Sequence, residues 1–320
     1  MFPSMRHPHR HVWDFWYYFD SESKLFHVFY LNADQILVSA DKHHFAACVG
    51  HGTTSDFIRM EWGDDEDYSV LTSSKEHWAN TSIWSGDIIK VSNGFLLFYT
   101  SRNREQDDGM TQNIGIAYSE SLSTSCWKLS PTRIQPGYSY LPKNSLGDLS
   151  THAWRDPFLF RENNQIYMLL SAKSIDDPIG RNGVIGCLRL KDNNFGEWEY
   201  LEPIAKPCCY SEMEVPQLYK DPQGNYELVF SSWARNDFSA MTRKAGGFQG
   251  LTASNLNDFS NKKPHVLMAE KSGLYACRII PEMDGEIVGF DIQDGGIRRS
   301  GVKTNFQHVD RNFTDFTFEM

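Results

Sequence analysis

Three acidic residues stand in similar surroundings at distant points of the chain. They are Asp14 in Trp13-Asp14-Phe15-Trp16, Asp156 in Trp154-Arg155-Asp156-Pro157, and Glu214 in Glu212-Met213-Glu214-Val215-Pro216. Glycosidic bond cleavage needs one carboxylate that attacks or activates water and another, held protonated, that donates to the leaving oxygen. Asp14 and Glu214 can supply that pair. The transition state carries positive charge on the sugar ring, so a third carboxylate that bonds ring hydroxyls contributes by differential stabilisation. Asp156, beside Arg155, suits that part. Glu212 lies two residues before Glu214, so on a strand the two project from one face. Their repulsion is expected to raise the proton affinity of one and keep an acid protonated near neutral pH. Trp13, Trp16, Trp84 and Trp154 flank these positions and offer flat faces to a sugar. About half of them are expected to be packing residues instead, given how often Trp is largely buried.

Such residues meet only if the fold brings distant segments to one point, and a repeat in the sequence suggests how. A polar turn followed by a strand-like apolar run occurs five times, at Ser23–Tyr30, Asn93–Tyr99, Asn164–Leu170, Gly224–Phe230 and Asp284–Phe290. The copies begin roughly 60 to 70 residues apart, the spacing of four-stranded propeller blades. A weaker repeat follows four of them, at Gly52–Phe57, Gly115–Ser119, Gly183–Cys187 and Gly250–Ser254, and reads as a third strand. Trp62, Trp127 and Trp198 sit where a fourth would begin. The segment before each hairpin is then the innermost strand: His11–Trp16, Ile83–Asp87, Trp154–Pro157, Ser211–Pro216 and Tyr275–Arg278. A rise of ~3.3 Å per residue puts Asp14, Asp156 and Glu214 at one end of the central channel. The expected fold is all-β, a single five-bladed β-propeller over residues 1–320 with a funnel-shaped central active site and residues 1–10 as an N-terminal arm.

Composition narrows the partners. Aromatic residues make up 14% of the 320, and no stretch keeps a helical period. A net charge of −10 argues against a phosphate backbone as partner and favours a small-molecule or oligosaccharide substrate. No run has membrane-spanning length and the first residues lack the apolar core of a secretory signal, so neither nucleic acid nor membrane is expected and the expected location is cytoplasmic. The six cysteines lack disulfide or zinc spacing and are read as free, mostly buried thiols. His7, His9 and His11, with His43 and His44, could bind a metal, but a polar arm is the simpler reading. Asp64–Asp67 and Asp107-Asp108 read as solvated carboxylates. Although Asp64–Asp67 could hold calcium, no metal site and no cofactor is assigned. Nucleophile-elbow, Walker-type and dinucleotide motifs are absent.

At these residues the chain resembles the five-bladed propeller glycoside hydrolases of clan J, families 68 and 32, which act on β-fructofuranosides in the manner of levansucrases and invertases. Val12–Trp16 looks like the family 68 nucleophile motif and Trp84-Ser85-Gly86 like its substrate-pocket motif. Trp154–Pro157 looks like the Arg-Asp-Pro motif, and Glu212-Met213-Glu214 keeps the Glu-x-Glu spacing that ends in the general acid. His51–Phe57 and Gln112–Ser119 are similar to blade strands of family 32. The resemblance implies a retaining double displacement on sucrose or short fructo-oligosaccharides. Asp14 would attack the anomeric carbon, Glu214 would serve as acid and then base, and Asp156 would bind fructosyl hydroxyls. Trp13, Trp84, Ser85, Asp87, Arg155, Glu212 and Tyr275 would line the sugar pocket. Asp87 stands where family 68 usually has Ser, which suggests an altered donor preference. Val215-Pro216 follows the acid where family 68 has Arg and family 32 usually Cys-Pro. The Asn-Asp-Pro signature of family 32 is absent at Asp14. A fructosyltransferase, an inverting pentofuranosidase resembling family 43, and a non-catalytic sugar-binding propeller are the alternatives.

Overall fold

The computed structural model describes residues 2–36, 42–63, 68–107, 109, 111–122, 127–142, 153–192, 194–239 and 246–319. Asp64–Asp67, Asp108 and Cys126 lie outside them. Five antiparallel sheets follow one another along the chain. The first holds β1 (Arg10–Asp20), β2 (Leu25–Asp34), β3 (Cys48–Thr54) and β4 (Glu61–Trp62). The second holds β5 (Ile83–Val91), β6 (Gly94–Arg102), β7 (Gln112–Ser119) and β8 (Lys128–Leu129). The third holds β9 (Trp154–Glu162), β10 (Gln165–Lys173), β11 (Gly183–Leu190) and β12 (Trp198–Tyr200). β13 (Glu214–Lys220), β14 (Tyr226–Ser232), β15 (Gly247–Ala253) and β16 (His265–Ala269) make the fourth. β17 (Leu274–Ile280), β18 (Glu286–Asp291) and β19 (Ile297–Lys303) make the fifth, and β20 (Gln307–His308) returns to the free edge of β13. This is the five-bladed propeller the repeat predicts, and each first hairpin turn contains backbone at positive φ: Lys24, Gly94, Asn164, Gly224 and Gly285.

One apolar core fills each seam between neighbouring blades. Trp16, Phe29 and Leu97 belong to the core shared by blades one and two, and Phe98, Trp154 and Leu170 to that of blades two and three. Phe160 and Phe230 join blades three and four, Val229 and Ile279 join four and five, and Phe15 and Val288 close the circle between one and five. Full burial of each such side chain is worth about 1.5–3 kcal/mol relative to exposure.

Both ends of the chain are built into the ring. The expected N-terminal arm is corrected, because Met5 and Ile297 exchange backbone hydrogen bonds and so extend the fifth sheet by one strand-like segment. His7 is buried against Trp62 and Tyr68, which suits a neutral imidazole, and burial pushes its pKa down to about 4. After β20 the tail crosses the hairpin-turn ends of blades three and two. Arg161 N donates to Asp310 O, Ser92 N to Phe316 O, and Asn93 Nδ2 to Phe318 O. Of the cysteines described, Cys48, Cys187 and Cys277 are buried and Cys208 is exposed, all as free thiols. No helix among the described residues is long and apolar enough to cross a membrane.

The first strand of every blade is broken by a β-bulge at the same level. The pairing register shifts between Val12 and Phe15, Trp84 and Gly86, Glu214 and Gln217, and Tyr275 and Arg278. In β9 the two residues between Arg155 and Phe158 face the single residue between Leu169 and Ser171, one extra. Asp156, Val215 and Ala276 take φ values of 59°, 52° and 46°. A bulge re-aims one side chain out of the sheet's alternation, and here five of them surround one point. At Gly86 a Cβ would lie 2.1 Å from the Phe98 carbonyl oxygen, so the bulge that follows Ser85 requires glycine.

Candidate active site

The bulges direct Asp14, Ser85, Arg155, Asp156, Glu214 and Tyr275 onto one cavity of about 510 Å³, which Glu212, Trp13 and Trp84 also line. Its size lies within the range of small-molecule sites, about 300–1,000 Å³. A larger cavity, about 790 Å³, lies between blades three and four and contains none of these groups.

Asp14 Oδ2 accepts a 2.5 Å hydrogen bond from Ser85 Oγ. Burial pushes the Asp14 carboxyl up to about 6. The Ser85 bond opposes that rise, the Glu214 charge adds to it, and Arg278 and Arg155 oppose it. Asp156 is fixed from two sides: its N–H donates to Thr100 Oγ1 at 3.0 Å, and its Oδ2 accepts from Val215 N at 3.0 Å. Burial raises Asp156 to about 7 against the pull of Arg155, with the charges of Asp14 and Glu214 contributing to the rise.

Arg155 joins the carboxylates. Its Nη2 lies 2.8 Å from Glu212 Oε2 and 2.8 Å from Glu214 Oε1, and its Nε lies 3.6 Å from Asp156 Oδ2. Lys173 Nζ meets the other Glu212 oxygen at 2.6 Å. The bare repulsion expected between Glu212 and Glu214 is therefore corrected: one guanidinium nitrogen bridges them, and Glu212 precedes β13 rather than lying on a strand with Glu214. Tyr275 Oη donates to Glu214 Oε2. Burial and the Glu214 charge push the Tyr275 phenol well above its ordinary value, so it remains a donor.

The cavity is thus an acidic site with aromatic sides, suited to a polyhydroxylated ring. Residues 17–279 match the model of the glycosyl hydrolases family 32 N-terminal domain. The chain belongs to glycosyl hydrolase family 32. It is therefore a glycoside hydrolase by family, and its fold is shared with solved structures of related enzymes. The inulosucrase of Halalkalicoccus jeotgali bound to kestose aligns over 91% of this chain and 79% of its own, with a TM-score of 0.68 at 18% identity. The β-fructofuranosidase catalytic domain of Microbacterium saccharophilum aligns over 93% and 78%, with 0.66 at 18% identity. The levansucrase of Gluconacetobacter diazotrophicus aligns over 92% and 78%, with 0.65 at 18% identity. No curated protein matches the sequence.

In this family 32 chain the four tryptophans divide evenly. Trp13 and Trp84 line the cavity, whereas Trp16 and Trp154 are fully buried in blade seams. Asp87 is the clear departure from the sequence expectation. It is 1% exposed and absent from the cavity lining, and its two oxygens lie 2.7 Å from Arg311 Nη2. Leu159 N donates to the same carboxylate at 2.8 Å. A structural ion pair with the C-terminal tail replaces the expected role in donor choice. Asp87→Ser is accordingly expected to cost about 2–3 kcal/mol of stability, because it leaves Arg311 half-paired, and to leave the ratio of rates on sucrose and longer fructans unchanged. Urea denaturation and a two-substrate assay check both halves.

Several further residues of the site are not among those the sequence assigns to the sugar pocket. Gln112 Oε1 accepts from Trp154 N at 3.1 Å and from Arg155 Nη1 at 3.3 Å, which fixes the guanidinium. Trp233 stacks on Tyr275 at 3.9 Å, with Arg235 5.4 Å from its ring centre. His43 meets the edge of Trp13 at 4.5 Å, and the His44 carbonyl accepts from Trp84 Nε1 at 2.7 Å. The cues are the Gln112–Ser119 strand motif, the adjacent His43 and His44 in the loop after β2, and the position of Trp233 directly after the second strand of its blade.

Proposed function

We propose that the protein cleaves a β-fructofuranosyl linkage of sucrose or a short fructo-oligosaccharide with retention of anomeric configuration. The observation that carries this reading is the convergence of Asp14, Asp156 and Glu214, from the first strands of three blades, on one cavity in which Asp156 and Glu214 share Arg155. Membership of family 32 and the likeness in fold to fructan-active enzymes support it. Asp14 attacks the anomeric carbon while Glu214 protonates the departing oxygen. Glu214 then takes a proton from water as that water attacks the glycosyl ester. Asp156 bonds ring hydroxyls, and those bonds tighten as charge develops on the ring. The likeness to levansucrase and inulosucrase supports transfer to a sugar acceptor as a second outcome of the same covalent intermediate.

Release of fructose from sucrose, followed by NMR from the first turnover, tests the reading. Initial appearance of the β-anomer supports retention, and initial appearance of the α-anomer contradicts it. The pH profile offers a second check. Attack requires ionised Asp14, so kcat/KM is expected to fall below about pH 6. In Ser85→Ala that acid limb moves to higher pH, because the lost hydroxyl bond favours the ionised carboxylate. A limb that stays in place would remove Asp14 from the titration.

A further inference from the structure

Arg278, on β17, is a cation that lies 5% exposed and lines no part of the catalytic cavity. Buried charges are normally paired, because removing them from water is costly. The buried Arg155 and Arg298 meet carboxylates at 2.8 and 2.6 Å. Arg278 makes no ion pair among the described residues and instead donates from Nε to Phe15 O at 2.5 Å and from Nη2 to Gly86 O at 3.5 Å. Those acceptors are the residues directly after Asp14 and Ser85. Each stands at the end of a bulge, and Arg278 ends the bulge of its own strand. One guanidinium from blade five thus spans the two bulges that present the hydrogen-bonded pair Ser85 Oγ and Asp14 Oδ2.

The remaining bulges are tied in the same manner. Thr100 Oγ1 donates to Ser85 O and accepts from Asp156 N, both at 3.0 Å, which joins blades two and three. Asp156 Oδ2 accepts from Val215 N of blade four at 3.0 Å, and Gln217 Nε2 donates to Cys277 O of blade five at 2.9 Å. Arg278 closes this circle through the first strands of all five blades. Its charge has a second effect. Asp14 faces the carboxylates Glu214 and Asp156, the Tyr275 phenol, and the cations Arg278 and Arg155. Of the two cations Arg278 does more to favour the ionised carboxylate. Around Arg278 itself stand Asp87, Tyr219, Arg311 and Tyr17. Burial pulls the guanidinium down from its ordinary value and Asp87 opposes that, and an arginine keeps its proton at every assay pH.

We propose that Arg278 is a positioning residue for the nucleophile: it holds the Phe15 and Gly86 carbonyls so that Asp14 and Ser85 keep their spacing, and its charge keeps Asp14 ionised. The inference rests on the fructoside reading above, in which Asp14 attacks the anomeric carbon.

The test compares kcat, KM and the pH profile on sucrose and kestose in the wild type, Arg278→Lys and Arg278→Gln, with near-UV circular dichroism to report the fold. Lysine keeps the charge and loses the fork that spans the two carbonyls. Glutamine keeps a donor at the Nε position and loses the charge. Arg278→Lys is expected to lose about 10- to 100-fold in kcat, the scale of a misplacement of ~1 Å, with KM within about threefold and the acid limb of kcat/KM in place. In Arg278→Gln that limb moves to higher pH by about half a unit or more, because the lost charge favours the ionised carboxylate. A merely structural part would lower activity equally at every pH and move neither limb. A folded Arg278→Lys with wild-type kcat, or an Arg278→Gln whose limb stays in place, would overturn the inference and leave the fructoside reading intact. Arg278→Met replaces the glutamine variant if that one does not fold, and if neither neutral variant folds Arg278→Lys decides alone. Cleavage of neither sugar by the wild type would overturn the fructoside reading and this inference with it.

Discussion

Asp14→Asn lowers sucrose turnover by about 10⁴-fold or more, the loss seen when a covalent nucleophile is removed. The amide is isosteric and its oxygen can still accept from Ser85, so the cavity keeps its shape while the glycosyl ester no longer forms. Stability moves the other way. The Asp14 carboxyl, at about 6, lies above its usual 3.8 because burial disfavours its ionised form. The wild type therefore loses stability as pH rises from roughly 4 through 6, and the Asn variant does not. A higher Tm than wild type at pH 7.5, and no difference at pH 4, would separate lost chemistry from lost structure. Removing the whole side chain, as Asp14→Gly, opens room for azide, and azide attack on the opposite ring face gives a fructosyl azide of α configuration. Sucrose turnover in Asp14→Asn within tenfold of wild type would take the nucleophile's role away from this residue.

Arg155→Met removes the cation that Glu212, Glu214 and Asp156 share, and costs about 3–5 kcal/mol at pH 7 by urea denaturation. Methionine retains much of the aliphatic packing, so the loss reports charge more than volume. Without the guanidinium Asp156 rises further above about 7, since Arg155 is the main force holding it down. Protonation then relieves the repulsion, and the deficit is expected to shrink as pH is lowered towards 5. A deficit independent of pH would mean that Arg155 acts here mainly by filling space.

The repeated hairpins were legible because each pairs turn chemistry with an alternating or apolar strand, a signal confined to about ten neighbouring residues. The meeting of Asp14, Asp156 and Glu214 was legible for the same reason, since equal offsets from equivalent turns place them at one end of the ring. The bulges were not. They depend on register against the partner strand, and the sequence marks them only through Pro157 and Pro216, residues that fit a strand where pairing is interrupted. Asp87 was misplaced because its partner, Arg311, lies 224 residues later and no local pattern links them. His7 was misplaced for a like reason: its burial depends on Trp62 and Tyr68 from the outer edge of blade one.

The tail that carries Arg311 bears on how the chain is made as well as on how it stands. During synthesis the first three blades leave the ribosome before residues 307–318, so Asp87 is without its cation until a further 224 residues have been made. Met5 likewise waits for Ile297 before the circle can close. Blades emerging in order can pair locally, but the last native contacts span nearly the entire chain and are made only late, a topology that favours slow final locking and late exposure to chaperones. The catalytic cavity, whose walls come from all five blades, is completed only at that stage.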